Sequence, residues 1–273
     1  MPRHPMTERR IVYECPGMHE GRVRTGIQYA DGEGLTLNVY EPVLNGERVT
    51  IAPAVLLAVG FSDIGAVRVL GCRMSDMGAF VSWAQLLAAS GIAAITYSTG
   101  ANPASDSARL LAYLLENATT LGIDAAHLGL LAFSGNGPTA LSLLMTGTPF
   151  RCATLLCPFT LDEDGRADVA RAAAQWGFAN AVAGRSVSDI AAVPLLIARA
   201  GRDEVDGLNP ALDAFVVGAL ARNLPLTLIN HPSGPHAFDV MDDSEMSRHI
   251  IGEAVAHLRF HLGSPAASHV TYK

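Results

Sequence analysis

Leu128-Gly-Leu-Leu-Ala-Phe-Ser134-Gly-Asn-Gly137-Pro-Thr-Ala140 decides how this chain folds. Residues 128–133 form an apolar run of strand length. It passes without a spacer into a serine, two glycines and a proline, and proline is tolerated in the first turn of a helix. A strand that steps so abruptly into a helix belongs in a parallel sheet covered on both faces, whose strands read as near-continuous apolar runs. Upstream, Pro53-Ala-Val-Leu-Leu-Ala-Val-Gly60 and Ile92-Ala-Ala-Ile-Thr-Tyr97 are runs of the same kind. Between them Phe80, Trp83, Leu86 and Leu87 share one helical face, closed by Gly91. Residues 61–76, ahead of that helix, read as a loop. Leu110, Leu111, Leu114 and Leu115 mark a further helix, and strands follow at 152–156, 195–200 and 226–230. Helices near 210–221 and over 245–262 complete the alternation.

Ahead of this series, residues 24–40 contain two short strand-like runs around Asp31-Gly-Glu-Gly34, with Leu35, Leu37 and Val39 alternating against polar neighbours. The expected class is therefore α/β: a doubly wound, mostly parallel sheet with an antiparallel N-terminal hairpin. A single domain over 21–265 is expected, with tails at 1–20 and 266–273. Residues 161–192 break the rhythm with Asp162, Glu163 and Asp164 and an Ala-rich stretch around Trp176, and are expected to form a small cap over one end of the sheet.

The chain has 273 residues, 49% hydrophobic and 16% charged, enough for one large buried core and unlike a disordered chain. Its formal charge is −7, with no basic cluster to neutralise phosphates, so nucleic acid and anionic membranes are not expected partners. A neutral or cationic small molecule fits better. No apolar stretch is long enough to span a bilayer, the first ten residues lack the apolar core of a secretory leader, and a cytoplasmic location is expected. Cys15, Cys72, Cys152 and Cys157 lack metal-site or paired spacing and read as free thiols. No coiled-coil seam appears. A homo-oligomer built on a sheet edge would leave no mark in the sequence.

Ligands of open α/β sheets gather at the carboxyl ends of the strands, so reactive side chains just past each strand carry the functional reading. Ser134 is the first. The sharp turn lifts its hydroxyl clear of the sheet, and the Gly135 N–H, at the start of the incoming helix, points where an oxyanion would develop. A helix-capping role would use the same position. Asp203, in Ala-Gly-Arg-Asp203-Glu-Val-Asp206, follows the strand at 195–200 and is placed to orient a histidine; Asp206 is the reserve, and helix capping is the ordinary role of such a carboxylate. His236, in His231-Pro-Ser-Gly-Pro-His236-Ala-Phe-Asp239, follows the last strand on a Gly-Pro turn and suits a general base near neutral pH. The serine, acid and histidine each follow a different strand, in that order. The Phe61 N–H, in the loop after the early strand, is expected to complete the oxyanion hole.

On these phrases, and on Leu35-Thr-Leu-Asn-Val-Tyr-Glu-Pro42 ahead of the first core strand, the chain resembles the α/β-hydrolase superfamily over residues 27–262. It is most similar to the dienelactone-hydrolase-like and small carboxylesterase branches. The resemblance implies a carboxylic ester or lactone hydrolase with catalytic residues Ser134, Asp203 and His236, acting without metal or organic cofactor on a small-molecule ester. Two positions depart from the family's G-x-S-x-G, where Ala132 and Asn136 replace the glycines, and dienelactone hydrolases carry cysteine where Ser134 stands. Two other functions compete. Gly135-Asn-Gly137-Pro-Thr-Ala140 also matches the dinucleotide fingerprint G-x-G-x-x-A, although several strands precede it. The scaffold could also serve a non-catalytic small-molecule binding protein, although an intact triad argues against it.

Overall fold

The computed structural model describes residues 3–31, 34–44, 47–147 and 149–263, with the backbone alone at 43–44 and 47–48. Eight strands make one sheet. They are β1 (Val23–Gln28), β2 (Thr36–Tyr40), β3 (Ala52–Leu57), β4 (Ala93–Tyr97), β5 (Ile123–Phe133), β6 (Phe150–Leu156), β7 (Leu195–Ala200) and β8 (Leu226–His231). Their spatial order is β1-β2-β4-β3-β5-β6-β7-β8. From β4 to β8 every pairing is parallel, whereas β2 runs antiparallel to β4 and β1 to β2. The expected α/β class and antiparallel N-terminal edge are both present. The hairpin's turn residues 32–33 and the C-terminal tail 266–273 lie outside the described residues.

Burial explains why these runs became strands. Every residue of β4 is buried, and β6 is buried apart from Arg151, because helices cover both faces. The helices are α1 (Asp63–Leu70), α2 (Gly78–Ala89), α3 (Pro103–Glu116), α4 (Gly137–Leu144), α5 (Asp168–Trp176), α6 (Leu208–Ala221) and α7 (Glu245–Leu262), with short turns of helix at Ala118–Leu121 and Phe238–Met241. In α7, Ile250, Ile251, Ala254, Leu258 and Leu262 form the buried stripe, Ser244 caps the N-terminus by accepting the Ser247 N–H, and Gly263 ends the helix in the left-handed region. In α3 the Asn102 side chain accepts the Ser105 N–H beside Pro103. Trp83, Phe80, Tyr97 and Phe215 are among the largest fully buried side chains.

The stretch 61–76 differs from the loop expected of it. It holds α1 and a short 3-10 turn, Met74–Asp76. Only Asp63 and Ala66 of α1 are buried while Ile64, Val67 and Val69 face outward, so no apolar stripe of helical period exists for the sequence to display. The described part of the N-terminal tail packs on the body: Ile11 and Met18 are buried, and the Val12 N–H donates to the Asp239 carbonyl.

Residues 161–192 hold α5 and a 3-10 turn at Val187–Asp189. The acidic start has a structural use, since Asp162 accepts the Val169 and Ala170 N–H groups at the head of α5, and Glu163 accepts the Val187 N–H. Phe178 packs with Phe159, Val169, Ala172, Leu208 and Ala211, whereas Trp176 is exposed. The segment pairs with the loop after β3 through a bridge between Phe61 and Phe178.

Candidate active site

The step from β5 to α4 is as sharp as the sequence implied. Phe133 is extended, Ser134 has φ 53°, and Asn136 is already right-handed helical. A non-glycine residue in the left-handed region costs energy and persists only where surrounding structure enforces it. Ser134 is not used as a cap: no side-chain cap bond exists at either end of this step. Its hydroxyl lies 2.9 Å from His236 Nε2 instead.

His236 Nδ1 lies 2.7 Å from Asp203 Oδ2, and the Asp203 side chain has no exposed surface. The other carboxylate oxygen of Asp203 accepts the Val205 N–H at 3.0 Å. The tails of β7 and β8 that carry acid and histidine are stitched together by Gly201 N–H to the His231 carbonyl and Arg202 N–H to the Gly234 carbonyl. Gly201 must be glycine, since a Cβ there would lie 2.7 Å from the Pro232 carbonyl oxygen. Glu204 and Asp206 are exposed and make no bond to His236. His231 is fully buried and holds the base of the loop through Asp242 and Ser247, each 3.0 Å from Nε2. Ala237, just after His236, is left-handed at φ 54°.

Phe61 and Gly135, the two expected oxyanion donors, are brought to the same place. A Cβ on Gly60 would lie 2.5 Å from the Gly135 carbonyl oxygen, so loop and elbow touch backbone to backbone. The Gly60 carbonyl accepts the Ala179 N–H at 2.7 Å and the Phe61 carbonyl accepts the Thr99 hydroxyl at 2.7 Å. Neither bond uses the Phe61 N–H. Thr99 is itself tied to Asp63, whose buried carboxylate accepts the Thr99 and Met74 N–H groups; burial raises the Asp63 pKa. Sequence reasoning gave no role to Asp63 or Thr99 and saw Asn136 only as a departure from the pattern, because each makes bonds across the fold to residues far away in the chain.

The phenyl rings of Phe61 and Phe178 meet edge to face beside Gly135, with centroids 5.9 Å apart. Both rings crowd the Gly135 α-carbon, and a Cβ on Gly137 would meet the Phe159 carbonyl oxygen at 2.1 Å. The space on the Cβ side of both glycines is thus filled by protein. Beneath the histidine sits Cys157, fully buried at φ 36°, its thiol pushed well above the ordinary range by burial. Ligand atoms of Cys157, Asp203 and His236 lie within 4.8 Å of one another, but the histidine and aspartate are already engaged with each other. All four cysteines are free.

No protein-family model matches the chain, and no curated protein is similar to it in sequence. Solved structures are similar in fold. MGS-M1, an α/β-hydrolase enzyme from a Medee basin deep-sea metagenome library, superposes with TM-score 0.65 at 17% identity, covering 89% of this chain and 98% of its own. The chain has the α/β-hydrolase fold. The thermophilic esterase Est2 of Thermogutta terrifontis gives TM-score 0.67 at 16% identity over 93% of this chain and 96% of its own. Esterase B of Lactobacillus rhamnosis, solved with a tributyrin phosphonate inhibitor, gives 0.65 at 16% over 92% and 88%. No helix among the described residues is long and apolar enough to cross a membrane.

Proposed function

We propose that this α/β-hydrolase-fold protein is a serine hydrolase that cleaves carboxylic esters or lactones of a small molecule through an acyl-enzyme. The observation that carries the reading is the unbroken chain Ser134 Oγ–His236–Asp203, at 2.9 and 2.7 Å, with the serine held in a left-handed elbow. Three residues from three strand ends reach hydrogen-bond distance in the order that nucleophilic acyl transfer needs.

His236 Nε2 takes the proton as Ser134 Oγ attacks the ester carbonyl. Asp203 holds Nδ1–H, fixing the tautomer and stabilising the imidazolium. The Gly135 and Phe61 N–H groups, fixed before reaction, donate to the tetrahedral oxyanion. His236 then protonates the leaving alkoxide, and a water molecule, deprotonated by the same nitrogen, releases the acid. The serine favours the carboxylesterase side of the resemblance over the cysteine-dependent dienelactone reaction. The known esterases of the same fold, one of them solved with a phosphonate inhibitor, support ester substrates. The chain's net charge of −7 and the apolar rings of Phe61 and Phe178 suit an uncharged or cationic ester.

A fluorophosphonate probe is expected to label the wild type and to leave Ser134→Ala unlabelled. A wild type that neither reacts with the probe nor hydrolyses p-nitrophenyl acetate would end the hydrolase reading.

A further inference from the structure

We propose that Asn136, which stands where the G-x-S-x-G pattern has glycine, is a positioning residue that locks the Phe61 oxyanion donor in register with Ser134; the inference rests on the hydrolase reading above. Asn136 is buried, 2% exposed. Its Oδ1 accepts the Gly60 N–H at 2.8 Å, and its Nδ2 donates to the Phe133 carbonyl at 2.9 Å. Only one orientation of the amide satisfies both partners, because one offers a proton and the other a lone pair. One side chain thus joins the residue before the nucleophile to the residue before the second oxyanion donor. Glycine at this position could make neither bond.

The surroundings show why a tether is needed and why it is short. The Gly60 backbone lies against the elbow, where a Cβ would sit 3.1 Å from the Asn136 α-carbon. The loop's other anchors, Ala179 on the Gly60 carbonyl and Thr99 on the Phe61 carbonyl, come from the 161–192 segment and from the end of β4. Asn136 alone of these partners belongs to the elbow. It sets the loop's distance to Ser134 directly, whereas the other two set it through the rest of the fold. An oxyanion donor is worth most when it is fixed before charge develops, and a misplacement of about 1 Å can cost roughly 100-fold in rate. The asparagine therefore takes up with its side chain the space that the pattern leaves empty and uses it to preorganise the donor.

The test compares wild type, Asn136→Gly and Asn136→Ala in p-nitrophenyl acetate hydrolysis, in inhibition by a trifluoromethyl ketone that forms a tetrahedral adduct, and in amide exchange at Gly60. In both variants kcat is expected to fall about tenfold to 100-fold with KM within about twofold, and the inhibition constant to rise by the same factor. Gly60 exchange should quicken at least about tenfold. Asn136→Ala keeps a Cβ and carries the test if the glycine variant does not fold. Unchanged kcat and inhibition constant per folded enzyme, even with a lower melting temperature, would reduce Asn136 to a packing residue and overturn the proposal. A wild type inert to both ester and fluorophosphonate would overturn the hydrolase reading and this role with it.

Discussion

Asp203 accepts two hydrogen bonds, from His236 Nδ1 and from the Val205 N–H, through a side chain with no exposed surface. Replacing it with asparagine preserves the shape and removes the charge, leaving an amide that can hold the imidazole in the wrong tautomer. Asp203→Asn is expected to lower kcat by about 10²–10⁴-fold with an unchanged circular dichroism spectrum, while Asp206→Asn retains wild-type turnover. Equal losses in the two variants would mean that the acid is not Asp203. At this scale the sequence named Ser134, Asp203 and His236 from residue type and chain order alone. It marked Asn136 only as a departure from the pattern and gave no part to Thr99, because their bonds to Gly60 and Phe61 span 76 and 38 residues and leave no local pattern.

The elements meet at polar contacts as well as apolar ones. The Trp83 indole of α2 donates to Asp239, three residues past His236, at 2.8 Å, and both side chains are buried. Burial raises the Asp239 pKa, and Trp83 is the largest opposing influence. Trp83→Phe keeps an aromatic side chain but removes the indole N–H from the buried carboxyl group and leaves a small cavity, so urea denaturation should show a loss of at least about 1–3 kcal/mol. Trp83→Phe combined with Asp239→Leu should recover part of that loss, since neither partner is then left buried and unpaired. Most elements were legible because their burial is periodic or complete, as in α7 and β4. Helix α1 was not, because its apolar residues are mostly on its exposed side.

Over the whole molecule, α7 packs His257 near the backbone of Ala153 in β6 and of Pro194 just ahead of β7. Desolvation, and secondarily His261, lower its pKa from 6.5 to about 4. Between those values the unfolded chain binds a proton that the folded chain refuses, so stability rises with pH across that window. The contribution is complete above the unfolded value and is lost on acidification toward the folded one. The urea midpoint should fall on going from about pH 7 to about pH 4.5, and fall less in His257→Gln; equal slopes would exclude His257 as the source. The sequence by itself determined the α/β class, the strand series and the three residues of the candidate triad, because solvent-shielded parallel strands must be apolar and reactive side chains must follow them. The tertiary structure decided how those residues are held: Ser134 forced to positive φ, the loops of Asp203 and His236 stitched to each other, and Gly60, the residue before Phe61, tied to the elbow through Asn136. Strain and cross-fold hydrogen bonds depend on which backbones touch, and that is a property of packing rather than of any local stretch of sequence.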